Sequence, residues 1–413
     1  MNRKPRILLI PNLAWWIIGE MGKQIIARFG HQYDLYFFPE EILARRPDML
    51  RAMLPSLDAI HCLNESALDV LKGFDAAALP PIATWIHHVT SWSANHQAAV
   101  DRSAALITCT RGWKDYLDIH TSGRVPVTVV PHGVDAQAFQ RRKIKPQRFG
   151  IPQGKFVIGF IGSKASDHDG GRKGTDVFFD VAIQAGKRIP HLHVLFGGPG
   201  WEKELALLHA EGVSASATGY IRKADLPALY SALDVYLMTS RVEGGPCTVF
   251  EAMACETVVV ATKVGAVPEL IVDGVNGFST EVDDRESLLA AVLRAEQSAQ
   301  MKKEIGRRAR ADVLQRSWPV ALNPLEAVYD ALVAQRTDTS PTTPAPAWMN
   351  SPQVLLRASC AADALTTVLP DIRSGSTTLR KGAAQLHEML HGQSLLDIAR
   401  GANMIWGRRS YTR

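Results

Sequence analysis

Residues Arg241-Val-Glu-Gly-Gly-Pro-Cys-Thr-Val-Phe-Glu-Ala-Met-Ala-Cys255 decide the reading of this chain, because they set two carboxylates, Glu243 and Glu251, eight positions apart across a Gly-Gly-Pro turn. Gly244 and Gly245 permit backbone angles closed to other residues, Pro246 suits the first turn of a helix, and Thr248 to Ala254 can continue it. The segment therefore reads as a loop feeding a helix. Glu251 falls in an early helical turn, where the helix dipole favours an ionised carboxylate. Such a group only accepts, and it can take two hydrogen bonds from a vicinal diol such as that of a ribose. Taken alone, the spacing is also met by a solvated loop charge followed by an ordinary helix-start charge.

The next residues add a second signal. Val258-Val-Val-Ala-Thr262 is a short β-branched strand that runs into Lys263-Val-Gly-Ala-Val-Pro-Glu269, a glycine loop opening another helix at Pro268. Gly265 lets the backbone approach closely, and free N–H groups at a helix start can hold a diphosphate.

With these residues in view, the chain resembles the retaining glycosyltransferases of family 4, which have the two-domain GT-B fold. The resemblance is carried by Gly219-Tyr-Ile, Leu226 to Leu237, Ser240-Arg-Val-Glu-Gly-Gly-Pro246, Glu251-Ala-Met-Ala-Cys255, Val259-Val-Ala-Thr262, Pro268-Glu-Leu270 and Val272-Asp-Gly-Val-Asn-Gly277. Their order and spacing follow the family over about 60 residues, more specific than any single motif. Val130-Pro-His-Gly-Val-Asp135, Lys173-Gly174 and Gly197-Gly-Pro-Gly200 extend it upstream, so it covers roughly residues 125 to 335.

Composition fits a soluble globular protein of more than one domain: 413 residues exceed a single core, with 46% hydrophobic and 21% charged. A formal charge of +5 is small for this length and does not imply nucleic acid, while an anionic donor or an anionic membrane surface is compatible with it. The five cysteines show no metal-like pairing, and Cys62 and Cys109 read as buried thiols in apolar runs. No apolar run reaches the ~18 residues of a membrane span, and Met1 to Arg6 lead directly into a strand rather than a signal peptide. A reducing cytoplasm is the expected setting.

Strands are expected at 7–10, 59–63, 82–86, 106–109 and 127–130, then in a second series at 156–161, 193–196, 235–238 and 258–261. Two successive β/α series imply an α/β fold of two doubly wound Rossmann-like domains facing across a cleft, with ligands at the carboxyl ends of the strands. The expected division is an acceptor-side domain at 1–139, a basic linker at 140–150 and a nucleotide-sugar domain at 151–335. A Thr/Pro-rich linker at 336–350 and an extra C-terminal helical tail at 351–413 follow. The tail's apolar stripe suits a helix docked on the protein, and its basic, tryptophan-bearing end also suits a partner or the anionic inner face of a membrane.

Moving a glycosyl unit from a nucleotide diphosphate builds negative charge on the leaving phosphate, so cations near it do much of the catalysis. The loop Gly162-Ser-Lys-Ala-Ser-Asp-His-Asp-Gly-Gly-Arg-Lys-Gly174 supplies three. The resemblance implies that Lys173 contacts the diphosphate. Ser163 stands where relatives carry an arginine after the strand's glycine, here Gly162, and Arg172 or Lys164 is the substitute. Asp167-His-Asp169 looks like a metal motif, but the neighbouring cations make a metal redundant and such pairs are common turn formers, so neither metal nor cofactor is expected.

His87, with His88 beside it, ends a strand facing the cleft, and the resemblance implies that His87 contacts the donor sugar; a structural histidine is the alternative. In the loop after the first strand, Gly19 and Gly22 would allow close approach of donor and acceptor, and Trp15 and Trp16 would either stack on an acceptor sugar or pack in the core. Glu256, Val258 and Ala266 depart from the family pattern in two tight turns, so donor preference does not transfer.

The sequence thus implies a transferase that places a sugar from a nucleotide-diphosphate donor on a glycan or lipid-linked acceptor. Retention and a setting in surface polysaccharide or lipopolysaccharide assembly are implied by the resemblance alone. Glu251 would hold the ribose and Glu243, Gly244 and Gly245 the donor sugar. A nucleotide-sugar epimerase of the same fold and a non-catalytic nucleotide-sugar-binding scaffold are the alternatives.

Overall fold

The computed structural model of the protein describes residues 3–14, 17–164, 171–336, 346 and 349. Trp15, Trp16, Asp167 to Asp169 and nearly all of the 336–413 linker and tail lie outside the described residues.

Two six-stranded sheets, parallel throughout, form the two expected Rossmann-like domains. The first contains β1 (Arg6–Ile10), β2 (Asp34–Phe37), β3 (Ala59–Cys62), β4 (Ile82–Trp85), β5 (Ala105–Thr108) and β6 (Val127–Val129), in the order β2-β1-β3-β4-β5-β6. The second contains β7 (Phe156–Ile161), β8 (Leu192–Gly197), β9 (Ser214–Ala217), β10 (Val235–Met238), β11 (Val258–Thr262) and β12 (Phe278–Thr280), in the order β12-β11-β10-β7-β8-β9. The central strands are almost continuous apolar runs because helices cover both faces. Ile7 and Leu9 enter one core layer of the first sheet and Leu8 and Ile10 the other, as a strand's two-residue period requires. Each sheet reverses its winding once, between β1 and β3 and between β10 and β7. The strand ends beside those reversals are where such sheets bind ligands.

The chain passes between the domains twice. Val134 and Ser317 form a parallel bridge between the two passages, and Gly133 lies so close to Trp318 that an added Cβ would stand 2.6 Å from its Cα. After the second passage, the helix Asn323–Gln335 packs on the first sheet, not the second: Leu325, Val328, Tyr329 and Leu332 share a buried cluster with Ile7, Leu9 and Trp85. Tyr33 donates to Asp330 at 2.6 Å and Gln32 to Glu326 at 2.6 Å, fixing that placement. The expected 151–335 domain is thereby corrected at its end, because this helix's apolar face completes the other core. The 140–150 segment lies along the second domain, with Arg142 N donating to Ser231 Oγ at 2.9 Å and Arg148 paired to Asp225 at 2.6 Å.

Candidate active site

Glu243 sits at the centre. It follows β10 in the loop ahead of the helix Cys247–Ala254, and it is 7% exposed. Its Oε1 accepts from Lys173 Nζ at 2.6 Å and Ser240 Oγ at 2.8 Å, while Arg172 reaches Oε2 at 3.4 Å. Burial pushes this carboxyl up, but the charges of Lys173 and Arg172 outweigh it and hold Glu243 below its ordinary range. A buried carboxylate with two cations is an ionised triad, not a solvated loop charge.

The cations come from Gly171 to Gly174, which leads into the helix Thr175–Arg188. Gly174 is left-handed at φ +60°, and a Cβ there would overlap the Thr239 carbonyl oxygen, so only glycine fits against the stretch that carries Glu243. Of the two substitutes for the missing arginine, Arg172 stands at Glu243. Lys164 instead meets Thr175 Oγ1 at 3.3 Å and Glu204 at 3.3 Å. Gly162 closes the end of β7, where its N–H donates to Gly197 O at 2.8 Å and its carbonyl accepts from Trp201 Nε1 at 2.9 Å.

Glu251 lies in the second turn of the Cys247–Ala254 helix and accepts from the Tyr230 hydroxyl at 2.7 Å. Burial pushes its pKa up to about 7, against the lowering effect of that hydrogen bond. Unlike Glu243, it has no cation within bonding distance among the described residues, which is why the two carboxylates move in opposite directions.

Gly244 and Gly245 are the seam between the domains. A Cβ on Gly244 would overlap the His87 carbonyl oxygen, and one on Gly245 would stand 2.6 Å from the His132 ring. Gly265 (φ +54°) in turn lies on the Gly244 carbonyl, which accepts from Ala266 N at 2.8 Å. Around them, Trp113 Nε1 donates to Glu243 O at 2.8 Å, Glu269 accepts from Arg111 N at 2.7 Å, and Lys223 pairs with Glu20 at 2.9 Å, each joining one domain to the other.

His87 follows β4 at this seam, 9% exposed and stacked on Trp85 with ring centroids 5.3 Å apart. Its Nε2 donates to Leu63 O at 2.8 Å, and its Nδ1 faces His132 Nε2 at 3.3 Å. His132 Nδ1 donates to Gly245 O at 2.7 Å. Three contacts thus ask for three N–H donors where two neutral rings have two, so the facing nitrogens both carry lone pairs. Burial, with the neighbouring histidine, lowers His87 well below the ordinary range, and burial lowers His132 to about 4.

Gly19 and Gly22 lie beside Glu20, which pairs across the seam with Lys223. Both are buried in the helix Ile17–Phe29. The space beside Gly19 is filled by the carbonyls of Leu13 and Ala14, and that beside Gly22 by Phe37 and Leu63. The close approach expected there is made by the protein's own atoms. Three participants were not assigned from sequence: His132, although it lies in the quoted Val130–Asp135 run; Tyr230, within Leu226–Leu237; and Trp113, which carried no motif. Among the described residues, no helix is long and apolar enough to cross a membrane and no group of three His, Cys, Asp or Glu side chains could hold a metal ion.

Residues 155–298 match the family model of glycosyl transferases group 1. The chain is 32% identical over 211 residues to a lipopolysaccharide core biosynthesis mannosyltransferase LpsB of Rhizobium meliloti, covering 44% of this chain and 57% of that protein. It is 30% identical over 210 residues to a GDP-mannose-dependent alpha-mannosyltransferase of Mycolicibacterium smegmatis, covering 50% of this chain and 52% of that one. The chain therefore spans little more than half the length of these relatives. Among solved structures, the sucrose-phosphate synthase of Thermosynechococcus elongatus superposes with a TM-score of 0.66 at 17% identity, over 81% of this chain and 100% of that one. At that identity the likeness speaks for the fold alone. Residues 155–298 thus match the glycosyl transferases group 1 model, within a chain that has the GT-B fold.

Proposed function

We propose that the protein is a retaining glycosyltransferase that moves a sugar from a nucleotide-diphosphate donor to a glycan or lipid-linked acceptor, without a metal, in the assembly of surface polysaccharide or lipopolysaccharide. The observation that carries this reading is the buried Glu243 held between Lys173 and Arg172, inside the segment matched by the family model. Two cations at the mouth of a helix N-terminus suit a diphosphate, and a buried carboxylate beside them suits the hydroxyls of the sugar it carries.

In this reading the bond from the anomeric carbon to the diphosphate oxygen breaks while the acceptor oxygen forms the new one, and the acceptor's hydroxyl proton passes to the leaving diphosphate oxygen. Lys173 and Arg172 take the charge that develops on the leaving diphosphate, which is the role a divalent cation would otherwise have. Glu251 accepts from the ribose diol, and His87 lines the seam beside the sugar. Because the relatives include mannosyltransferases, one of them GDP-mannose-dependent, GDP-mannose is the first donor to try. We place the reaction in the cytoplasm, at the membrane face where a lipid-linked acceptor would present its glycan.

The test is thermal unfolding with GDP, UDP, ADP, dTDP and CMP, beside Glu251→Ala treated alike. A nucleotide at 100 times its Kd adds about 2.7 kcal/mol, a shift of a few degrees. Stabilisation by one nucleoside diphosphate, lost in Glu251→Ala, supports the reading. Stabilisation by none refutes it.

A further inference from the structure

The stretch Thr239–Glu243 lies against Gly171–Gly174 along its whole length. Thr239 Oγ1 donates to Gly174 O at 2.8 Å, Arg241 N donates to Arg172 O at 2.7 Å, and Arg172 donates back to Val242 O at 3.3 Å. One side chain reinforces this contact. Arg241 NH1 donates to Gly171 O at 2.9 Å, so backbone and guanidinium of one residue grip two consecutive carbonyls just ahead of Lys173.

The rest of the guanidinium is held from outside. NH1 and NH2 meet the two oxygens of Asp176 at 2.8 Å each, a fork on the first turn of the Thr175–Arg188 helix. Nε and NH2 meet Asp283 at 2.9 and 2.7 Å. Asp283 is itself left-handed at φ +62°, a backbone angle rare for a residue with a side chain. Hydrogen bonding to Arg241 holds Asp176 below the ordinary carboxylate range. Arg285 shares Asp176, at 3.2 Å, and pairs with Asp180 at 2.7 Å, without a hydrogen bond to residues 171–172.

We propose that Arg241 is a positioning residue: it clamps Gly171 and Arg172 so that Arg172 and Lys173 meet the donor diphosphate at a fixed place. This rests on the donor site proposed above. A lysine keeps the charge but has no planar fork, so it cannot grip Asp176, Asp283 and Gly171 O together.

The experiment compares full-length wild type with Arg241→Ala, Arg241→Lys and the control Arg285→Ala. Limited trypsin digestion reads the clamp directly, because the bonds after Arg172 and Lys173 are trypsin sites within the clamped segment. Arg241→Ala should be cut there about tenfold faster, the equivalent of one charged hydrogen bond lost, and Arg285→Ala at the wild-type rate. An unchanged rate in Arg241→Ala, or an equal rise in Arg285→Ala, overturns the clamp. Should Arg241→Ala fail to fold, Arg241→Lys must show a smaller rise at the same two bonds.

Calorimetry then measures GDP and guanosine. Arg241→Ala should lose about tenfold in affinity for GDP with guanosine unchanged, since only the former carries phosphates for the clamped cations. Equal losses for both would mean a general structural effect and overturn the assignment. A wild type that binds no nucleoside diphosphate, while Arg241→Ala is still cut faster, refutes the donor reading and leaves the clamp standing.

Discussion

Lys173 Nζ lies 2.6 Å from Glu243 Oε1, so the cation proposed for the diphosphate and the carboxylate proposed for the sugar are bound to one another. The pairing lets a charge exist where burial alone would neutralise it. Glu243 is depressed below its ordinary 4.5, so the stability it contributes is present above that value and is lost as pH falls below it. Lys173→Met should destabilise the second domain by about 2 kcal/mol at pH 7, because it strands a buried carboxylate with Arg172 alone. Adding Glu243→Gln should recover most of that loss in thermal unfolding. A double variant no more stable than the single would show that the cost lies in packing, not charge.

Glu251 predicts the pH dependence of nucleotide binding. With its pKa raised to about 7, it is half protonated at neutral pH, and a diol needs the ionised acceptor. Nucleotide affinity should fall toward tenfold per pH unit below 7 and level off above it. The contribution of Glu251 to the stability of the unliganded protein should run the other way, decreasing as pH rises from the ordinary 4.5 to about 7, because the folded state holds this proton more tightly. Isothermal titration of GDP between pH 5.5 and 8.5, with Glu251→Gln as the variant that loses both trends, checks the assignment.

Most of the strand framework is legible in the sequence, and what is missed has one physical cause. The strands not foreseen are β2, β9 and β12, and each is a sheet edge. Edge strands are covered on fewer sides and need no continuous apolar run: β9 is Ser-Ala-Ser-Ala and β12 only three residues. In the site, Glu243, Lys173, Arg172, Gly244 and Gly245 come together from residues up to 73 positions apart, as their motifs imply. His132 escaped because its partners, the His87 ring and the Gly245 carbonyl, lie 45 and 113 positions away. At Gly19 and Gly22 the sequence signals close approach without saying what approaches, and on the side a Cβ would occupy it is the protein's own atoms.

The seam gives a steric prediction. An alanine at Gly244 would overlap the His87 carbonyl and stand 3.0 Å from Cys109 Sγ, both in the other domain. Gly244→Ala should therefore hold the domains apart while each keeps its own core. The expected result is a loss of at least about tenfold in kcat/KM, since misplacement by an ångström already costs that much. Small-angle scattering should show a larger radius of gyration at an unchanged circular dichroism spectrum. A variant as compact and active as wild type would mean that the seam yields.

Metal dependence follows from the cation pair. In the proposed reaction Arg172 and Lys173, both at Glu243, would be the counterions of the leaving charge, leaving added Mg²⁺ or Mn²⁺ nothing further to neutralise. Turnover should persist in EDTA to within about twofold, well inside the several kcal/mol that an essential Lewis acid supplies. Abolition by EDTA with recovery on adding Mg²⁺ would bring the Asp167-His-Asp169 loop back as a metal site.

His87 and Glu251 make competing claims on the same acid limb, and variants separate them. Burial drives His87 well below its ordinary 6.5, while Glu251 is driven up to about 7, so of these two groups only the carboxyl should titrate between pH 5.5 and 8. His87→Asn should lower kcat by about 100-fold, the usual size for losing a preorganised polar group beside the reacting centre, yet leave the acid limb of kcat/KM in place. Glu251→Gln should remove that limb. The histidines also carry a stability signature: rings held neutral in the fold bind fewer protons than in the unfolded chain, so they cost stability as pH falls from 6.5 toward the value of about 4 held by His132. If the limb disappears in His87→Asn and survives in Glu251→Gln, the two lone pairs facing each other at 3.3 Å are sharing a proton near neutrality, and the His87–His132 pair is the titrating group.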